Sequence, residues 1–329
     1  MSFVTLFLIT FALATVLTLT VTRILLPILA RHHVGQRILE IGPAWHSAKN
    51  GTPTMGGLAC VLAATLALLT TGGLLASNLP ALFWRPLLLS TLYALSGAAV
   101  GIVDDMTKFR RKQNEGLTPG QKLILQTAFA LAYLLLLRLY GHIDTSVYLP
   151  YFNRVLDIGI LFYPLSVLLC VWLVNCVNLT DGVDGLAAGT SFIYAAFFVI
   201  AAAYLREATA LIFAAAMMGI SFGFLFYNRH PARLFMGDTG SLFLGGMAVG
   251  CGFLSDLPAL TPIVGGVFVL EGISVVLQVL YYKLTGKRLF LMAPLHHHLE
   301  KRGFSERRIV LLLSLLGILL ALLAAPGVL

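Results

Sequence analysis

Residues 86–108 read PLLLSTLYALSGAAVGIVDDMTK. Eighteen residues without a charge, Pro86 to Val103, end on the adjacent carboxylates of Asp104 and Asp105. A helix needs about 20 mostly apolar residues to cross the hydrocarbon of a bilayer. The stretch therefore predicts a span near 86–104 whose polar end lies at one membrane face. An acidic pair ending such a span points to function. Adjacent carboxylates repel, so the pair calls for a cation or a raised pKa. Asp104 and Lys108 stand four apart, on one face of a helix. Two carboxylates beside a lysine suit a metal–diphosphate substrate. The plainer alternative is a solvated helix end leading into the basic run Lys108, Arg110, Arg111 and Lys112.

Nine further apolar runs accompany it, near 3–26, 54–76, 123–141, 158–176, 187–205, 208–226, 239–255, 260–284 and 308–325. The expected fold is an all-α integral membrane protein. It is a single polytopic domain over residues 1–329, a bundle of ten transmembrane helices. Composition agrees: 59% of the 329 residues are apolar and 11% charged, against about 25% charged in an average soluble domain. Mean hydropathy is +0.91. A soluble domain of this size has too little interior to hide that surface, and the same excess excludes disorder. Residues 1–22 hold no Lys or Arg, so they read as a first span and not as a cleavable leader. Cys60, Cys170, Cys176 and Cys251 lie in apolar stretches without CxxC spacing and read as small core residues.

Ten helices put both termini on one side. Of 22 Lys and Arg residues, eighteen fall in 23–53, 105–122, 227–238 and 283–308. The other four, Arg85, Arg138, Arg154 and Arg206, lie in the opposite loops. The positive-inside rule makes the eighteen-charge side cytoplasmic and places both termini outside. The net charge of +8 is then mostly topology and attraction to anionic membrane lipid. No nucleic-acid motif is present, and no nucleic-acid partner is expected. Nine of 14 acidic residues and seven of eight histidines share the inner face. Charge topology explains Lys and Arg there, but not Asp and His. The active site is therefore expected at the cytoplasmic face of the bundle.

Further segments on that face carry chemistry. In Asn175-Cys-Val-Asn178-Leu-Thr-Asp181-Gly-Val-Asp184-Gly185 the two asparagines face one way on a helix, and two Asp-Gly pairs make a tight turn. Amides there can donate to a base or phosphate, and carboxylates can accept. An EF-hand is excluded, because the twelfth residue from Asp181 is Phe192. In Asn228-Arg-His-Pro-Ala-Arg-Leu-Phe-Met-Gly237-Asp238-Thr239-Gly240-Ser241, a polar side chain can simply cap the next helix. Glycines beside Asp238 also let backbone approach closely, and carboxylate oxygens suit Mg²⁺. In Met292-Ala-Pro294-Leu-His296-His297-His298-Leu-Glu300, neighbouring histidines diverge by ~100° on a helix, so three cannot converge on one zinc. One or two can contact a phosphate or carboxylate. Weaker signals are the glycine-rich entry from Lys49 through Thr52 and Thr54 to Gly57, which lacks the GK[ST] of a P-loop. Others are Glu271, Ser274 and Gln278 on one helix face, and Lys122 at the start of the fourth span.

These segments together resemble the polyprenyl-phosphate N-acetylhexosamine-1-phosphate transferases. The residues that carry the likeness are Gly51–Gly57, Asp104-Asp105-x-x-Lys108, Asn175-x-x-Asn178-x-x-Asp181-Gly-x-Asp184-Gly-Leu186, Met236–Ser241 and Ala293-Pro-Leu-His-His-His298. The triple histidine after Ala-Pro-Leu favours the muramoyl-pentapeptide branch over the N-acetylglucosamine branch. The resemblance implies a Mg²⁺-dependent homodimer in the bacterial cytoplasmic (inner) membrane. It would transfer phospho-MurNAc-pentapeptide from UDP-MurNAc-pentapeptide to undecaprenyl phosphate, giving lipid I and UMP in peptidoglycan biosynthesis. It implies Asp238 as catalytic metal ligand, with Asp104 and Asp105 catalytic or positioning the lipid phosphate, and His297 catalytic. It implies substrate-binding positions at Lys49, Thr52, Thr54, Lys108, Lys122, Asn175, Asn178, Asp181, Asp184, Asn228, Gln278, His296 and His298.

Both expected substrates are anionic at the reacting centre, so cations must offset their repulsion. A phosphate monoester has its second pKa near ~6 and is largely ionised at pH 7. Alignment and electrostatics should then matter more than a general base. Direct in-line attack is the favoured route, with a covalent aspartyl-phosphate as the alternative. The rival class is a transporter or flippase of an anionic lipid-linked substrate, which would place ionisable residues near the bilayer midplane. Only Glu271 lies deep in a span here.

Overall fold

The computed structural model describes residues 2–31, 51–76, 81–111 and 116–328. Among the described residues there are twelve α-helices: α1 (Phe3–Arg31), α2 (Gly57–Ala76), α3 (Ala81–Arg111), α4 (Pro119–Leu139), α5 (Phe162–Thr180), α6 (Leu186–Leu205), α7 (Ala208–Asn228), α8 (Gly237–Leu254), α9 (Thr261–Val264), α10 (Gly266–Thr285), α11 (Leu295–Lys301) and α12 (Glu306–Ala324). Among the described residues, nine of them (α1 to α7, α10 and α12) are long and apolar enough to cross a membrane. Their outward aliphatic side chains are exposed, for example Ile124 on α4 and Leu280 on α10. Such a surface is stable against lipid tails, not against water.

The helix at the centre is α8, which among the described helices of 18 residues or more is the one that falls short of the apolar run needed to cross a membrane. It has 18 residues, and all of them except Asp238 are buried. It runs antiparallel to α3, with Asp238 beside Gly101 and Gly250 beside Ser90. Helices in lipid gain little from hydrophobic burial and associate through close packing of small residues. A Cβ on Gly245 would lie 2.7 Å from the Val174 backbone of α5, and one on Gly246 would lie 2.7 Å from Ala94 of α3. The glycines that lower the hydropathy of α8 are thus what lets α3 and α5 clasp it.

Three elements differ from the expectation drawn from hydropathy. Helix α3 continues to Arg111, so Asp104 and Asp105 stand within the helix and not at its end. The apolar run at 260–284 is divided at Gly265 into α9 and α10. The loop at 142–157 folds into a hairpin of β1 (Ser146–Leu149) and β2 (Arg154–Asp157), with Ser146 opposite Asp157 and Leu149 opposite Arg154. Asn153 closes its turn at φ 47°, a left-handed conformation that asparagine tolerates. Four-residue strands are too short to show a period of two against the helical runs around them. All four cysteines are buried and unpaired, as small core residues should be.

Candidate active site

Four helix ends meet at one end of the bundle. The last turns of α3 bring Asp104, Asp105 and Lys108, and the end of α5 brings Asn178. The start of α8 brings Asp238. The first turn of α4 brings Lys122, in a helix whose start is fixed by a capping box between Thr118 and Gln121.

The cations sit between the acids. Lys108 Nζ lies 2.6 Å from Asp104 Oδ2 and 3.2 Å from Asp238 Oδ2. Lys122 Nζ lies 2.9 Å from Asp104 Oδ1 and 2.5 Å from Asp238 Oδ2. Asp104 is fully buried and also accepts the Leu117 N–H at 2.8 Å. The Asn178 amide donates to Asp238 Oδ1 at 3.2 Å and to Ser241 Oγ at 2.7 Å.

Asp105 has a different task from its neighbour. Its Oδ1 accepts the Asp238 N–H at 3.2 Å, and its Oδ2 accepts the Thr239 N–H at 2.9 Å and the Thr239 hydroxyl at 2.7 Å. A carboxylate from α3 therefore satisfies the free N–H groups that open α8, where no residue of α8 caps itself. Two glycines make this approach possible. Gly101 leaves room for the Asp238 carbonyl, and Gly237, at φ 74°, leaves room for Asp105 and for Thr54. The segment 53–57 is tied to the same place: Phe235 N–H donates to Pro53 O at 2.8 Å, and Gly57 N–H to Met236 O at 2.9 Å. Thr54 Oγ1 is buried there with no hydrogen-bond partner among the described residues.

Asp181 follows α5 directly. Loss of solvent, and then the carboxylates of Asp238, Asp105 and Asp184, push its carboxyl well above the usual carboxylate range. The turn that Asp181 begins is bolted to the loop that leads into α8. Asn228 accepts the Gly185 N–H at 3.0 Å and donates to Leu234 O at 3.0 Å. Asp184 accepts the Ala232 N–H at 2.9 Å and faces His230 Nδ1 at 3.2 Å.

The histidines of α11 diverge. His296 is fully buried, with Nδ1 3.2 Å from Glu271 Oε2, and its backbone N–H donates to the same oxygen. Its ring lies against Gly182, where any Cβ would collide with it. His297 pairs with Glu300 at 2.6 Å. His298 Nδ1 accepts the Leu291 N–H at 3.2 Å, and partial burial, with Arg302 nearby, lowers its pKa.

Oxygens of Asp104, Asp105 and Asp238 lie within 4.8 Å of one another. A donor set made only of carboxylates fits a hard divalent ion. Asp105 is committed to α8, and Asp104, fully buried, to Leu117 and to the two lysines that it shares with Asp238. Asp238, with 15% of its side chain exposed, is the member that can turn to a cation.

The profile of glycosyl transferase family 4 matches residues 86–255, which hold Asp104, Asp105, Lys108, Lys122, Asn178 and Asp238. Over nearly the whole chain, relatives called phospho-N-acetylmuramoyl-pentapeptide-transferase align with it. That of Heliobacterium modesticaldum is 45% identical over 95% of this chain and 97% of its own. That of Halalkalibacterium halodurans is 42% identical over 96% of each. That of Caldicellulosiruptor bescii is 40% identical over 94% of this chain and 93% of its own.

The chain belongs to the phospho-N-acetylmuramoyl-pentapeptide-transferase family.

Of the positions the sequence singles out, this family member brings Asp104, Asp105, Lys108, Lys122, Asn178 and Asp238 into one cluster, with Thr54 and Asp181 beside it. Asn175 turns to α4 instead and donates to Gln126 Oε1 at 2.6 Å. Gln278 clasps the following loop through the N–H of Phe290 at 2.8 Å and of Leu289 at 3.1 Å. Asn228 and His296 are buried in structural contacts. Thr52 is half-buried, and Lys49 lies outside the described residues. Thr239 and Ser241, which the sequence offers as caps of the next helix, and Glu271, an acid deep in an apolar run on one face with Ser274 and Gln278, were not among its site residues.

Proposed function

We propose that this transferase moves phospho-MurNAc-pentapeptide from UDP-MurNAc-pentapeptide onto undecaprenyl phosphate, forming lipid I and releasing UMP in peptidoglycan synthesis. The observation that carries the reading is Asp238 at the start of a buried helix, with Lys108, Lys122 and Asn178 around it, in a chain aligned end to end with transferases of that name. The protein is a multi-pass protein of the bacterial cytoplasmic membrane.

The roles of the side chains follow from their contacts. Asp238 is the metal ligand, and Mg²⁺ bound there would neutralise the donor diphosphate. Lys108 and Lys122 would then be free to turn from Asp238 toward phosphate oxygens, while Asp104 keeps its contacts to both ammonium groups. Asp105 positions Asp238 by fixing the first turn of α8. Asn178 orients the Asp238 carboxylate through its amide, and Asp181, beside them at the end of α5, faces the nucleotide. Thr54 offers a hydroxyl to the same pocket. With the nucleophile largely ionised and UMP a stable leaving group, alignment supplies most of the catalysis. Direct in-line attack suits this arrangement. His297 and His298, half-buried at α11, serve the donor, and His296 holds the Asp181 turn from beneath.

The reading includes ten crossings, with α8 as the tenth, both termini outside and the site at the cytoplasmic face. It also includes a homodimer. Sugar choice falls to the segment 285–307, where Lys287, Arg288, Lys301 and Arg302 flank the histidines and attract the carboxylates of the peptide. UDP-GlcNAc has no such arm and leaves those charges unpaired. The test is purified enzyme given each donor separately with undecaprenyl phosphate, scoring UMP and lipid product. UDP-MurNAc-pentapeptide should turn over and UDP-GlcNAc poorly. Equal turnover of UDP-GlcNAc would refute the assignment of sugar.

A further inference from the structure

A second polar cavity lies apart from Asp104, Asp105 and Asp238, none of which lines it. It has a volume of about 940 Å³ and opens between the start of α6, the end of α7 and the start of α12. Three arginines, Arg229, Arg233 and Arg307, line it with the carboxylate of Asp184, and Glu306 stands at its edge, accepting the Asp184 N–H at 3.2 Å and lying 3.7 Å from His230 Nδ1. Asp184 is already engaged by the Ala232 N–H and His230. Arg233 donates to Phe226 O at 3.0 Å and lies 5.1 Å from the Tyr227 ring. Among the described residues, neither Arg229 nor Arg307 has a carboxylate partner.

The rest of the lining is apolar. Phe226 of α7 and Leu311 of α12 are 43% and 59% exposed, and Leu225 and Val310 stand beside them. From Arg307 to Ser314 the wall descends two turns of α12, about 10 Å. The shape is a cationic rim above an apolar wall on the lipid-facing side of the bundle. Guanidinium groups match phosphate oxygens in a bidentate way. A free phosphate would use the rim alone and leave the wall bare. A phospholipid uses both.

We propose that this crevice binds an anionic phospholipid of the inner leaflet, with its phosphodiester on Arg229 and Arg307 and an acyl chain along Phe226 and Leu311. The inference rests on the orientation that puts the ends of α7 and the start of α12 at the cytoplasmic face, and not on the choice of transferase substrate. Arg229 follows Asn228, which ties the Asp184–Gly185 turn to the loop that enters α8. An occupied crevice therefore braces that loop, and a ligand that binds only the folded state raises its stability.

The test uses the full chain in a neutral detergent, titrated with phosphatidylglycerol, with phosphatidylcholine of the same chains, or with inorganic phosphate. Retained lipid is counted by native mass spectrometry, and the thermal midpoint is read in parallel. Phosphatidylglycerol should be retained and raise the midpoint, with phosphatidylcholine weaker and millimolar phosphate unable to displace it. The double variant Arg229→Gln/Arg307→Gln should lose affinity for phosphatidylglycerol by about tenfold or more, while still releasing UMP from the donor. Arg307→Gln alone, at an exposed position, gives the same reading if the double variant folds poorly. Equal retention of the two lipids, unchanged affinity in the variants, or displacement by phosphate overturns the proposal. Since UMP release is scored separately, none of these outcomes touches the transferase reading.

Discussion

At the scale of the residue, the two adjacent acids of α3 divide their labour by geometry. Asp104 meets lysines, and Asp105 meets the N–H groups that begin α8. Two variants separate these tasks from that of Asp238. Asp238→Asn keeps the shape and removes the ligand charge, so turnover should fall about a hundredfold or more with an unchanged thermal midpoint. Asp105→Asn loses one acceptor at a helix start, so both turnover and stability should fall, stability by about 1–2 kcal/mol. Equal midpoints in the two variants would remove the positioning role of Asp105. Gly182 and His296 form a second pair. Gly182→Ala should cost about tenfold in activity through the collision with the buried ring. Adding His296→Ala should restore part of that loss, whereas additive losses in the double variant would show that the two do not press on each other. The sequence made most of the cluster visible, because its acids and amides end apolar runs. Their partners were hidden because they lie far apart in the chain: Thr239 is 134 residues from Asp105, and Glu271 is 25 from His296. Asn175 and Asn178 show the limit of a shared helix face. Residues three apart still diverge by about 60°, enough for one to meet α4 and the other α8.

At the scale of the element, hydropathy found the helices that face lipid and read the central one less well. Helix α8 needs no lipid-facing side, so glycine can replace leucine wherever a neighbouring backbone passes. The same logic sets two glycines of α2 apart. A Cβ on Gly57 would collide with the Gly240 backbone of α8, while one on Gly73 meets nothing within 4 Å. Gly57→Ala should therefore destabilise by about 1–3 kcal/mol and lower activity, because it forces apart the turn that carries Asp238. Gly73→Ala should be neutral or stabilising by up to about 1 kcal/mol, through helix propensity alone. Thermal unfolding of both, with UMP release alongside, checks the contrast. Similar destabilisation by the two would mean that α2 and α8 are looser than their spacing here. The break at Gly265 and the extension of α3 to Arg111 were not legible for a related reason. Hydropathy reports where a helix is apolar, while hydrogen bonding decides where it begins and stops.

At the scale of the whole molecule, two independent features mark the same end of the bundle. One is the eighteen-to-four division of Lys and Arg between the two sets of loops. The other is the convergence of Asp104, Lys122, Asn178 and Asp238 at the ends of α3 and α5 and the starts of α4 and α8. Four helices can bring those residues together only if they alternate in direction, and alternation sends the β1–β2 hairpin to the far end. On the charge rule the site is expected at the cytoplasmic face and the hairpin outside. This can be checked without any assay of activity. Cys60, Cys170, Cys176 and Cys251 are buried, so their replacement by alanine leaves a background that no aqueous reagent labels. Into it go single cysteines at Gln113, between α3 and α4, and at Val155, which is 66% exposed on β2. In right-side-out spheroplasts an impermeant maleimide should label the Val155 cysteine and spare the one at Gln113. Inside-out vesicles should reverse the result. Labelling of both from one side would mean an even number of crossings between them in place of the single one that α4 provides, and the orientation of the site, together with the lipid crevice that depends on it, would have to be redrawn.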